Sequence, residues 1–141
     1  MEGQDKHITG KTRSVGFQIG ARRTFPLPHE EAWKLLTSQQ GVRIWLGEVP
    51  NLKYAVGSRY QLADGARGEI RVVSPNSHIR LTWQPPGWNR PTTIQVRVIP
   101  SAEKTVIAFH QEHLPGPEER AKRRAFYLSA LDELEGLAKS A

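Results

Sequence analysis

The sequence predicts an α+β fold in which a curved, six-stranded antiparallel sheet wraps around one long C-terminal helix. Three observations carry this prediction. Pro117 to Lys139 is the only long segment with uninterrupted helical periodicity. Ahead of it lie strand-sized segments of alternating polarity, separated by turn residues such as Asp64-Gly65 and Pro75-Asn76, the pattern of an antiparallel meander. Each strand is apolar on one face only, so the sheet needs cover on one side, and the last helix is the only element long enough to supply it.

The helix is marked at its start by Gly116, by Pro117 at the first helical position, and by Glu118 and Glu119 beside the positive end of the dipole. Tyr127, Leu131, Leu134 and Ala138, with Ala130 and Leu137 beside them, form one apolar stripe. Burying each of its three Leu side chains contributes roughly 1.5 to 3 kcal/mol.

Taken in order, residues 1–13 are polar and aperiodic, and read as a disordered tail. Residues 14–141 read as a single domain, which the chain length of 141 residues suits. From Ser14 the pattern alternates, with Val15, Phe17, Ile19 and Ala21 on one face, and a first strand runs to Phe25, where Pro26 and Pro28 stop it. His29 to Thr37 and Gln39 to Leu46 are two short helices that serve as a connector. Strands follow at Arg59 to Ala63, Ala66 to Ser74, His78 to Gln84 and Pro91 to Ile99. Pro100-Ser101 turns the chain into a last strand, Lys104 to Leu114. A strongly bent sheet cannot follow a straight helix throughout, so a cavity between them is expected.

Composition narrows the function. With no cysteine, disulfide and thiolate-metal frameworks are excluded, and a reducing cytoplasm fits. No apolar run approaches spanning length and no signal-peptide pattern opens the chain, so a soluble, cytoplasmic protein without membrane contact is expected. The net charge of +6 could attract an acidic partner. However, the basic residues are spread along the chain, and the strands lack the paired aromatic and basic motif that stacks bases, so nucleic-acid binding is disfavoured. The four cations of Arg120 to Arg124 read as a solvated face of the helix.

The sequence also lacks a Gly-rich phosphate loop, a nucleophile elbow and a His-Glu-x-x-His motif, and nothing in it implies a cofactor. His110 and His113 are three apart on a strand and so point to opposite faces, which makes a metal site improbable. Tyr60, Trp83 and Tyr127 are aromatics expected to face the sheet–helix interior, with Leu131 beside them on the helix and Trp45 on the second short helix. If the His110 face of the last strand points inward, His110 and Glu112 become polar groups in an apolar cavity, able to orient a ligand or to act as an acid-base pair. Phe109 and Ile107 occupy the opposite face of that strand. For each of these residues, ordinary core packing competes with a ligand role. Trp88, central in the Pro-rich loop 85–91, is a candidate lid or interface anchor, against the alternative of a ring folded over the sheet edge.

These residues carry a resemblance. The element order, Pro28 to Thr37, Trp45-Leu46-Gly47, Gly57 to Leu62, the Asp64-Gly65 turn, Gly68 to Pro75, Ile79 to Trp83, and Tyr127-x-x-x-Leu131-x-x-Leu134 are together similar to the START-like, helix-grip superfamily (SRPBCC). Within it the chain most resembles the branch related to the activator of the heat-shock-protein-90 ATPase. The likeness spans roughly residues 14–139 and rests on many modest matches. Where that family more often has Trp, this chain has Tyr127, which keeps an aromatic under the helix. The resemblance implies a fold more than a function, because its members bind lipids, polyketides, hormones or partner proteins.

Three functions follow as expectations. The first is a module that binds a hydrophobic small molecule between sheet and helix, without assigned catalytic residues. The second is a polyketide cyclase or dehydratase-like enzyme, with His110 and Tyr60 as its groups. The third is a protein-interaction module, chaperone-linked or homodimeric, using Trp88.

Overall fold

The computed structural model describes residues 11, 12 and 16–140. In chain order the elements are β1 (Lys11–Thr12), β2 (Gly16–Phe25), α1 (His29–Thr37), α2 (Gln39–Trp45), β3 (Arg59–Gln61), β4 (Arg67–Ser74), β5 (His78–Trp83), β6 (Thr92–Ser101), β7 (Lys104–Leu114) and α3 (Pro117–Ser140). Most of the expected tail, and Ser14 and Val15 of the expected first strand, lie outside the described residues. Lys11–Thr12 pairs with Phe17 and Gly16 as a two-residue strand.

One antiparallel sheet has the order β1-β2-β7-β6-β5-β4-β3, with six principal strands as the alternation requires. The hairpins β3 to β7 form the meander. The first long strand, β2, pairs with β7, so α1 and α2 must carry the chain to the opposite edge, and α1 packs against β6 and β7 on the way. Register shifts between Phe17 and Ile19 in β2, and between Ile70 and Val72 in β4, bend these strands. The β6–β7 turn falls two residues later than expected. Pro100 and Ser101 still pair, with Thr105 and Lys104, and Ala102 makes the turn at φ 57. A proline at the last turn of a ladder removes little pairing, so it did not stop the strand.

The junction between α1 and α2 is tight. Ser38 caps α2 by accepting from the Gly41 amide at 3.0 Å, and Gly41 lies against the Leu35 carbonyl, where a Cβ would overlap it.

The core forms where the inner sheet face meets α3. Ile19, Phe25, Ile79, Leu81, Ile94, Val96, Ile107 and Phe109 are buried against Tyr127, Ala130, Leu131 and Leu134. Leu137 and Ala138 are only half-buried at the end of the stripe. Arg23, also on the inner face of β2, ties the helix to the strand. Its Nη1 donates to Asp132 Oδ1 at 2.6 Å and to Glu135 Oε1 at 2.5 Å, which stabilises the charged guanidinium. Because Asp132 is exposed, solvent screens the pair. Arg23→Met is expected to lower the unfolding free energy by about 1 kcal/mol, measured by urea denaturation; an unchanged midpoint would mean that the bridge is not held in solution.

Candidate functional site

The inner face of β7 is Thr105, Ile107, Phe109 and Gln111, all buried. This settles the orientation left open by the alternation and corrects two expectations. His110 and Glu112 point to the outer face of the sheet. There His110 Nε2 lies 2.9 Å from Gln18 Oε1, and Glu112 stands opposite Thr93 of β6. The side-chain period of two requires it: with Ile107 and Phe109 inward, the residues between them must face out. His110 and the interior Tyr60 are therefore on opposite sides of the sheet, and they do not form an acid-base pair.

The expected cavity space holds side chains. Phe109 stacks on Tyr127 with ring centres 5.0 Å apart, and Trp45 lies 6.1 Å from Phe109. Trp45 is fully buried and its Nε1 donates to the Leu36 carbonyl at 2.9 Å, so it locks α1 to α2. Leu131 is equally buried within the same core. Tyr60 reaches from β3 across Gly68 of β4 and its hydroxyl donates to the Thr82 carbonyl on β5. Burial pushes its pKa up, and the nearby Tyr127 adds to this while Arg123 opposes it.

At one end of this core the structure gathers a polar cluster that the sequence reading did not include. Arg123 sits one helical turn before Tyr127, on the same stripe, and only 8% of it is exposed. It is the buried member of the basic run 120–124, and Arg120 is half-buried with its Nε donating to the Gln18 carbonyl at 2.7 Å, so the run is not the open face expected from the sequence. The Arg123 Nε donates to Gln111 Oε1 at 2.8 Å and its Nη2 donates to the Tyr127 hydroxyl at 3.2 Å. Tyr127 in turn donates to Gln111 Oε1 at 2.8 Å. Gln111 Nε2 then donates to Thr92 Oγ1 at 2.9 Å, and Thr92 Oγ1 to the Trp83 carbonyl at 2.7 Å. The two donors converging on one amide oxygen fix which way Gln111 faces. Burial raises the Tyr127 pKa, with Arg123 partly offsetting it.

Three rings surround the guanidinium. Its Cζ lies 4.1 Å from the centre of the Trp83 ring, 4.2 Å from Phe126 and 4.9 Å from Tyr127. No carboxylate among the described residues pairs with it. Beside it Trp83, 7% exposed, buries its Nε1 without a hydrogen-bond partner among the described residues.

Loop 85–91 covers this end. Pro85-Pro86-Gly87-Trp88 is a turn with Gly87 at φ 85, closed by the Trp88 amide donating to the Pro85 carbonyl at 3.3 Å, which is type II chemistry. It sets Trp88 edge-on to Trp83, with ring centres 5.6 Å apart at 81°, and Gln84 Nε2 donates to the Trp88 carbonyl at 2.6 Å. Trp88 is thus folded over Trp83 and half-buried. Surface grooves flank the loop. One, of about 560 Å³, is lined by Trp88, Arg90, His113, Leu114 and Glu119. The other, of about 610 Å³, is lined by Tyr60, Arg67, Thr82 and Pro91 among others.

Of the residues singled out from the sequence, Trp83 and Tyr127 meet at Arg123, Trp88 packs on Trp83, and Tyr60 lies near Tyr127 and Arg123. Trp45 and Leu131 lie in the packed core, while His110 and Glu112 are on the far face. Arg123 could have been found at four residues before Tyr127, and Gln111 at two residues after Phe109. Among the described residues no helix is long and apolar enough to cross a membrane, and no group of three metal-ligating side chains converges.

The comparisons with known proteins agree with this architecture. Residues 26–139 match the family described as activator of Hsp90 ATPase homolog 1-like protein. The human activator of 90 kDa heat shock protein ATPase homolog 1 is 25% identical over 124 residues, covering 82% of this chain but 37% of the relative. This chain therefore spans about a third of the length of the curated relatives it matches. Among solved structures, protein MLL2253 from Mesorhizobium loti has a TM-score of 0.74 at 22% identity, covering 88% of this chain and 98% of that one. DynU16, a protein of the dynemicin biosynthetic locus, has a TM-score of 0.72 at 20% identity, covering 86% and 47% respectively, so both share the helix-grip fold. With the family matched over most of its length, the chain belongs to the activator of Hsp90 ATPase homolog 1-like family.

Proposed function

We propose that this protein binds a small amphipathic molecule at the end of the sheet–helix interface where Trp83, Gln111, Arg123 and Tyr127 meet, with loop 85–91 as its cover. The observation that carries this reading is the buried Trp83 Nε1 without a partner. An orphaned buried donor costs about 1 to 3 kcal/mol, and native interiors rarely keep one. A ligand acceptor at this position would relieve the cost. Because the interior is filled by side chains, the ligand is admitted by displacement of Trp88, whose turn rests on a 3.3 Å bond and one Gln84 contact.

The test is native mass spectrometry of the chain purified without refolding, followed by extraction of what travels with it. A reproducible small-molecule adduct whose release changes Trp fluorescence is the expected result. A chain that carries no adduct, and whose fluorescence answers to no amphipathic probe, would overturn the reading. The family relationship supports a second reading, a chaperone-linked interaction module. A stoichiometric homodimer or protein complex in place of the adduct would favour it.

A further inference from the structure

We infer that the ligand of this site is a carboxylate on an apolar, planar or chain-like body, and that Arg123 is its anchor. This rests on the proposed binding at the Trp83–Arg123 end and specifies its chemistry. A guanidinium has five N–H donors. Here Nε and one N–H of Nη2 are used by Gln111 and Tyr127, so the remaining three, two on Nη1 and one on Nη2, have no partner among the described residues. Two of them, one on each Nη, lie on the outer edge of the fork, which can grip a carboxylate through two parallel bonds.

The neighbouring groups are donors too. Trp83 Nε1 is unsatisfied, and the acceptor Gln111 Oε1 is already taken by two donors. A ligand that brings its own N–H or O–H finds no vacant acceptor among these groups, whereas one that only accepts matches the free donors. The charge agrees, because a guanidinium that keeps only 8% of its residue's exposure and has no carboxylate beside it is incompletely compensated, and a monoanion neutralises it. The rings of Trp83, Trp88, Phe126 and Tyr127 supply the surface for an apolar body.

The test uses matched probes on the full chain, naphthalene-2-carboxylate beside naphthalene-2-carboxamide and decanoate beside decanamide. Binding is followed by Trp fluorescence and calorimetry. Each acid is expected to bind about tenfold to a hundredfold tighter than its amide, as a charge-assisted hydrogen bond supplies. Arg123→Met should abolish the preference, so that acid and amide bind with similar affinity, the acid losing more than the amide, whose carbonyl also accepts from the guanidinium. Arg123→Lys, which keeps the charge but loses the fork, should lie between; it also provides a folded comparison if the Met variant fails to fold. Equal binding of acid and amide, or an acid preference that survives both substitutions, would overturn the carboxylate anchor and leave the binding site standing. If no probe binds in either form, the site itself fails and the anchor with it.

Discussion

Gly68→Ala is expected to lower the unfolding free energy by more than about 3 kcal/mol. Gly68 lies in β4 opposite Tyr60, at the point where the Tyr60 hydroxyl crosses the strand to reach the Thr82 carbonyl of β5. A Cβ at Gly68 would overlap the Thr82 backbone oxygen and meet the Tyr60 hydroxyl at 2.5 Å. The first obstacle is backbone, so relief requires β4 and β5 to separate next to Trp83, and Arg67 and Gln84 exchange backbone hydrogen bonds at that point. Removing the second obstacle should not rescue the variant: Gly68→Ala with Tyr60→Phe is expected to stay within about 1 kcal/mol of Gly68→Ala alone, the scale of one hydrogen bond. Urea denaturation decides it. A Gly68→Ala midpoint near wild type would mean that the β4–β5 spacing is looser than described.

The fold was legible because hydrophobic period and turn chemistry agree along most of the chain. The spacing of Tyr127, Leu131 and Leu134 predicts both the helix and its buried face. Alternation in Ile79, Leu81, Trp83 and in Ile94, Val96, Val98 fixes which sides of β5 and β6 face inward. In β7 the alternation is ambiguous, because Val106 and Ala108 make the His110 face almost as apolar as the face bearing Ile107 and Phe109. Position in the sheet resolves it: Tyr127 of α3 stacks on Phe109, which fixes the Phe109 face as the inner one.

Arg123 was hidden for a different reason. Its charge and its neighbours Arg120, Lys122 and Arg124 make the run read as solvated, yet its place on the stripe decides its burial. Gly68 gave no signal, because its constraint is a crossing by Tyr60, a residue of another strand. The two-residue β1 is too short to carry any periodicity.

The second large effect concerns the charge itself: Arg123→Met is expected to raise the stability of the ligand-free protein by about 1 to 4 kcal/mol. Opposing terms decide the sign. The guanidinium gains from two hydrogen bonds and from its ring contacts, but methionine keeps most of that packing through its own contacts with the rings, so only the part due to the charge is lost. Against this stands the loss of most of the cation's hydration with no carboxylate to balance it, a penalty of several kcal/mol. Methionine matches the unbranched stem, packs against Trp83 and Phe126, and brings no charge. The substitution also strands no acceptor, since Gln111 Oε1 still receives the Tyr127 hydroxyl at 2.8 Å. Truncation to Ala should have the opposite sign, because it leaves a void among the three rings. Thermal and urea unfolding of the two variants beside wild type separate the cases. A Met variant more stable than wild type would identify Arg123 as a charge kept at the expense of stability, as an anchor for a ligand would be. A Met variant less stable than wild type would make the guanidinium a structural tie between α3 and β7, and would remove the energetic motive for a ligand at this site.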